Sequence, residues 1–103
     1  MTTGLQIVSG DGVVTLFGEL DVVSREQFAL ACHTCQGDDV VVDLSGVTFL
    51  DSAGYRAFVE TRDRMSSGGR TLSLRHAVGE PARLLSFLDF CDFEPAAAPP
   101  SSR

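Results

Sequence analysis

The sequence predicts an α/β fold with a mixed β-sheet, in the element order β-β-α-β-α-β-α. Three observations carry this. Two short β-prone runs flank an Asp-Gly pair near the start of the chain, the pattern of a hairpin. Val40-Val41-Val42-Asp43-Leu44 is too continuously apolar for a surface strand and reads as the centre of a sheet covered by helices. From there on, segments with a helical apolar period alternate with strands. A hairpin followed by right-handed β-α-β crossovers satisfies that order.

In the hairpin, Leu5 and Ile7 precede Ser9-Gly10-Asp11-Gly12, and Val13, Val14, Leu16 and Phe17 follow it. Gly18-Glu19-Leu20-Asp21 ends the second strand. Ser24 with Gln27 three residues on is a capping-box pattern and predicts a helix over residues 25–35. Its apolar positions Phe28, Ala31 and Cys32 fall at helical spacing, and Gly37-Asp38-Asp39 stops it. After the strand at 40–44 come a short acidic turn, a second apolar stretch and then Ser52, where a second helix begins. That helix carries Tyr55, Phe58, Val59, Arg62 and Met65 on one side, and Gly68-Gly69 ends it. Thr71-Leu72-Ser73-Leu74 is the next strand. Pro81 suits the first turn of a third helix bearing Leu84, Leu85 and Leu88. Phe90, Cys91 and Phe93 are expected to close over the core. Residues 1–93 are thus one domain, and residues 94–103, with three prolines and no periodicity, are expected to form a disordered tail.

The bulk properties narrow the function. A chain of 103 residues has room for one core. Its net charge of −6 and its scattered arginines, with no lysine, disfavour direct contact with nucleic acid or an anionic membrane. No apolar run approaches the ~20 residues of a membrane span, and Met1-Thr2-Thr3-Gly4 has no secretory character. The cytoplasm is the expected compartment, where three cysteines stay as thiols. Arginine in place of lysine also fits a GC-rich bacterial genome.

Ser52 is the residue with the most to do. A hydroxyl at a helix N-terminus lies where backbone N–H groups and the helix dipole favour an anion, so a phosphate added there would be held. The plainer reading makes Ser52 the helix cap. Asp43 and Asp51 have no reason to converge as an acid/base pair, although Asp51 could orient the Ser52 hydroxyl. A serine hydrolase is disfavoured: the Gly-x-Ser-x-Gly elbow is missing, and His33 and His76 are the only candidate bases. Cys32-His33-Thr34-Cys35 lies near a helix end, where the dipole does not lower a thiol pKa. No second ligand pair accompanies it, so Cys32 and Cys35 are expected in the core rather than in a metal or redox site.

The chain resembles the STAS domain proteins, and within them the single-domain anti-sigma factor antagonists. Three segments carry the resemblance: Phe17-Gly18-Glu19-Leu20-Asp21, the run from Val42 to Asp51-Ser52-Ala53-Gly54, and Gly68-Gly69-Arg70. It covers roughly residues 5–93 and implies a STAS-like sheet. It further implies that Ser52 is phosphorylated by an anti-sigma factor that is also a serine kinase of GHKL-type ATPase fold. The unphosphorylated antagonist binds that factor and frees the sigma factor; the phosphorylated form is released, and a serine phosphatase resets it. On this basis the partner surface comprises Glu19, Asp21, Asp51, Ala53, Gly54, Tyr55 and Arg56. Gly54 is expected to admit the partner closely. Tyr55 and Arg56 replace the aliphatic and small residues usual in the family, a change expected to affect which kinase docks. The partner supplies ATP and magnesium, and the chain itself needs no cofactor and is not an enzyme. The alternative is a constitutive STAS scaffold or transporter-associated subunit in which Ser52 is only a cap.

Overall fold

The computed structural model describes residues 4–88 and 93–95. The expected mixed sheet is present. Strands β1 (Leu5–Gly10) and β2 (Val13–Leu20) form the antiparallel hairpin, with Gly10 paired to Val13. Asp11 and Gly12 between them take φ of 54° and 79°, the left-handed pair of a type I′ turn, which Asp-Gly tolerates and which matches strand twist. There follow α1 (Arg25–Thr34), β3 (Asp39–Leu50), α2 (Ser52–Ser67), β4 (Thr71–Ala77) and α3 (Gly79–Leu88).

One short strand was not expected. β5 (Phe93–Pro95) runs parallel to β4, with Leu74 opposite Phe93 and Ala77 opposite Pro95. The sheet order is therefore β1-β2-β3-β4-β5. Glu94 and Pro95 belong to the sheet rather than to the tail placed at 94–103. The physical reason is that backbone pairing at a sheet edge needs no hydrophobic pattern, and an edge tolerates proline. Residues 96–103, and the expected closure by Phe90 and Cys91, lie outside the described residues.

The strand at 40–44 extends in both directions. β3 is one 12-residue strand that runs through the segment read as an acidic turn. Register shifts against β2, between Thr15 and Phe17 and again between Gly18 and Glu19, absorb the irregularity as bulges. Within it the Asp43 carboxylate accepts the Ser45 N–H at 2.9 Å.

Because β2, β3, β4 and β5 step in one direction, right-handed crossovers place all three helices on the same face. The alternation of burial follows. Val40, Val42 and Leu44 are fully buried, while Val41 and Asp43 on the opposite face are half-buried. The central strand is thus covered by helices on one face, and its other face is half-buried at Val41 and Asp43.

The core lies between the sheet and the helices, centred on Phe28 of α1 and Phe58 of α2. Their rings meet edge to face at 5.1 Å and lock the two helices together. Arg70 ties the far end of the same pair. Its guanidinium donates to the carbonyls of Gly37 (2.9 Å), His33 (3.5 Å) and Cys35, supplying cationic donors to the C-terminus of α1. The expected capping box at the start of α1 does not form. Ser24 makes no side-chain cap, and Gln27 donates instead to the Leu5 carbonyl at 3.0 Å.

Candidate functional site

The parallel strands end together, and the loops that leave them bring the candidate residues to one edge. Leu20 pairs with Leu50 at the last rung between β2 and β3. The turn after β2 and the first turn of α2 are therefore neighbours, and Gly54 presses them together. An added Cβ on Gly54 would stand 2.4 Å from the Leu20 carbonyl oxygen and 2.6 Å from Leu50 Cδ1. Gly54 is buried, so the close approach that its missing side chain permits is made by this chain's own strand. It is not open to a partner as expected.

Ser52 is the first residue of α2 and is exposed. It is not the cap. Asp51, in an extended conformation, holds that position and accepts the Gly54 N–H on Oδ1 at 2.9 Å, while its carbonyl accepts the Tyr55 N–H. The local rule explains the choice: aspartate and serine compete on equal terms for a cap, and here the aspartate has the extended backbone a cap requires. The Asp51 carboxylate thus orients the backbone at the head of α2, where the sequence offered the Ser52 hydroxyl as its partner. Ala53 is half-buried and Arg56 exposed. Tyr55 is half-buried, with its side chain packed against the core.

Asp21 organises the neighbouring turn. Its Oδ1 accepts the N–H groups of Val23 (3.0 Å) and Ser24 (3.2 Å), an Asx-type turn. The buried Ser24 hydroxyl donates to the Glu19 carbonyl at 3.1 Å and accepts the Asp21 N–H at 3.1 Å. Between these ties Val22 and Val23 stand 60% and 86% exposed. Sequence reasoning passed over both valines. The available signal was their position, directly after the Asp that closes the strand, where turn formers are the rule.

Glu19, Asp21, Asp51, Ala53 and Ser52 therefore lie at one end of the sheet, which offers a projecting surface. A cavity of ≈ 650 Å³ opens at the other end, between the hairpin turn and residues 34–39. Among the described residues no three His, Cys, Asp or Glu side chains gather as a metal site. His76 Nδ1 lies 3.4 Å from Asp43 Oδ2, which places this histidine beside the middle of β3, while Ser52 stands beyond that strand's end. Burial and the neighbouring Cys35 push the Cys32 thiol up to about 12, against a smaller opposing effect of Arg70. That thiol is protonated at neutral pH and a poor nucleophile or ligand. Cys32 and Cys35 are both free and buried.

The family model described as STAS domain matches residues 4–99. The chain belongs to the STAS domain family. Two solved structures similar to this STAS domain are anti-sigma factor antagonists. One is SpoIIAA in its unphosphorylated form, with TM-score 0.70, 16% identity, and 96% of this chain and 92% of that chain covered. The other is from Mycobacterium paratuberculosis, with TM-score 0.67, 25% identity, and 93% and 88% covered. Among curated proteins no sequence matches. No helix among the described residues is long and apolar enough to cross a membrane.

Proposed function

We propose that this STAS domain is an anti-sigma factor antagonist switched by phosphorylation of Ser52. The observation that carries the reading is the division of labour at the start of α2. Asp51 caps the helix, so the exposed Ser52 hydroxyl has no structural duty and is free to be modified. Both similar structures reported above are anti-sigma factor antagonists. The partner is an anti-sigma factor of GHKL-type fold that is also the serine kinase and brings its own ATP and magnesium. A serine phosphatase reverses the step. The chain acts in the cytoplasm as a binding module, not an enzyme, and does not touch nucleic acid.

Unphosphorylated, the surface of Glu19, Asp21, Asp51, Ala53, Tyr55 and Arg56 meets a basic patch on the partner, a complementarity that governs encounter and partner choice. Phosphate on Ser52 adds ~−1.5 to −2 charges beside the Asp51 carboxylate, whose Oδ1 already holds the Gly54 N–H. Two like charges and a bulky group then occupy the contact, and release needs no change of fold.

The test is to purify the GHKL-type anti-sigma factors of the host and titrate each with wild-type protein and with Ser52→Asp. A parallel incubation with ATP and magnesium is read by mass spectrometry of the antagonist. Binding by wild type, loss with Ser52→Asp and phosphate on Ser52 are expected. Equal binding by both proteins with no phosphate on Ser52 would leave a constitutive scaffold or transporter-associated subunit.

A further inference from the structure

We infer that Val22 and Val23 form the apolar anchor of the partner-docking surface, an assignment that rests on the anti-sigma factor reading above. Two consecutive β-branched residues at the tip of a tight turn run against local preference, which favours Gly, Asn, Asp, Ser or Pro there. Nothing in the fold compensates. Val22 and Val23 are 60% and 86% exposed and stand outside the core and the residues packed on it. A local rule broken without a folding gain marks a functional position.

The turn is also held rigidly. Both N–H bonds to Asp21 Oδ1 and the bonds of the Ser24 hydroxyl fix its backbone. Ser24 is buried beneath it. The two valines are therefore presented in one conformation, which lowers the ordering cost of binding. The Leu20–Leu50 rung and the packing of Gly54 on the Leu20 carbonyl make this turn the neighbour of Ser52. One partner can cover both.

The charge around the anchor selects the occupant. Glu19, Asp21 and Asp51 outnumber Arg25 and Arg56 at the end of the sheet that bears this apolar tip, on a chain of net charge −6, so the complementary surface is an apolar recess with a mainly basic rim. A second copy of this acidic chain would set like charges against one another. The same anti-sigma factor that reads Ser52 is the occupant. Val22 and Val23 supply the desolvated centre of the contact, and Ser52 supplies the switch at its rim.

The experiment uses the double variant Val22→Ser/Val23→Ser alongside Ser52→Asp, titrated against each purified GHKL-type anti-sigma factor of the host. Wild-type and double-variant proteins are also compared by sedimentation. Both valines are exposed, so the double variant should fold as wild type; Val23→Ala repeats the test with the least change to the turn. Binding at least about tenfold weaker for the double variant is expected, with wild type sedimenting as a monomer. Loss of binding by Ser52→Asp while the double variant stays within about twofold of wild type, well below the loss expected of an anchor, overturns the anchor and leaves the switch. Loss by the double variant with Ser52→Asp bound as wild type sustains the anchor and overturns the switch. If no factor binds wild type, both fall. A wild-type dimer that the double variant abolishes assigns the patch to a second copy and overturns the anchor.

Discussion

Asp51 caps α2, a task that sequence alone could assign either to it or to Ser52. Asp51→Ala removes the acceptor for the Gly54 N–H and should lower stability by about 0.5–2 kcal/mol. Ser52→Ala should change it by less than ~0.5 kcal/mol, as an exposed position that is not itself the cap. Urea unfolding of the two variants decides between them, and equal losses would return Ser52 to a capping role. Gly54→Ala should cost about 1–3 kcal/mol, because the new methyl meets the backbone oxygen of Leu20 and cannot be relieved by a rotamer change. A melting temperature equal to wild type would contradict that packing. The position of Ser52 at the head of a helix was legible from its sequence, since the apolar period of α2 and the turn before it set the boundary. The identity of the cap was not. Adjacent Asp and Ser are both good caps, and only the backbone conformation at Asp51 distinguishes them.

At the scale of elements, Asp43 of β3, bonded to Ser45 in its own strand and beside His76 of β4, carries a pH dependence. Partial burial works to raise the pKa of Asp43. The Ser45 backbone N–H, the Ser45 side chain and the neighbouring His76 outweigh it and hold the carboxyl below its ordinary value of 3.8. A carboxyl with a depressed folded-state pKa stabilises the fold above its unfolded pKa and loses that contribution as pH falls through the folded value. Thermal melts below pH 3.8 should therefore show a steeper acid loss in wild type than in Asp43→Asn. His76 sits here at φ 65°, where β4 breaks register between Arg75 and Ala77; no sequence pattern announces that bulge. The ends of α1 show the same division. Residues Phe28 and Cys32 set the buried stripe of α1 from its period alone. Its C-terminus, however, depends on Arg70, more than thirty residues away. Arg70→Ala should cost about 1–2 kcal/mol and speed amide exchange in the last turn of α1, while α2 and β4 keep their protection.

For the whole molecule, burial on one face of the sheet sets what the domain tolerates. Val42→Asp places an unpaired charge in a fully buried position and should unfold the domain, read as loss of the cooperative thermal transition. Cys32, fully buried and with its pKa pushed up to about 12, should resist iodoacetamide at neutral pH until global unfolding. Rapid labelling of native protein would show that the α1 end of the core opens locally. Its protonated thiol stabilises the fold below pH 9.0, and that contribution declines as pH rises from 9.0 towards about 12.

Hydrophobic period and turn chemistry by themselves determined the order of the elements, the hairpin, the buried run of β3 and the place of Ser52, because each is a property of residues near one another in the chain. The family motifs carried the proposal of a partner and of a switch at Ser52. Tertiary structure decided the rest: which face of the sheet stays open, that β5 joins an edge through backbone bonds, that Gly54 yields its space to Leu20, and that the turn after β2 neighbours the first turn of α2. These depend on contacts between residues distant in sequence, whose energies come from burial and backbone pairing that no local pattern records.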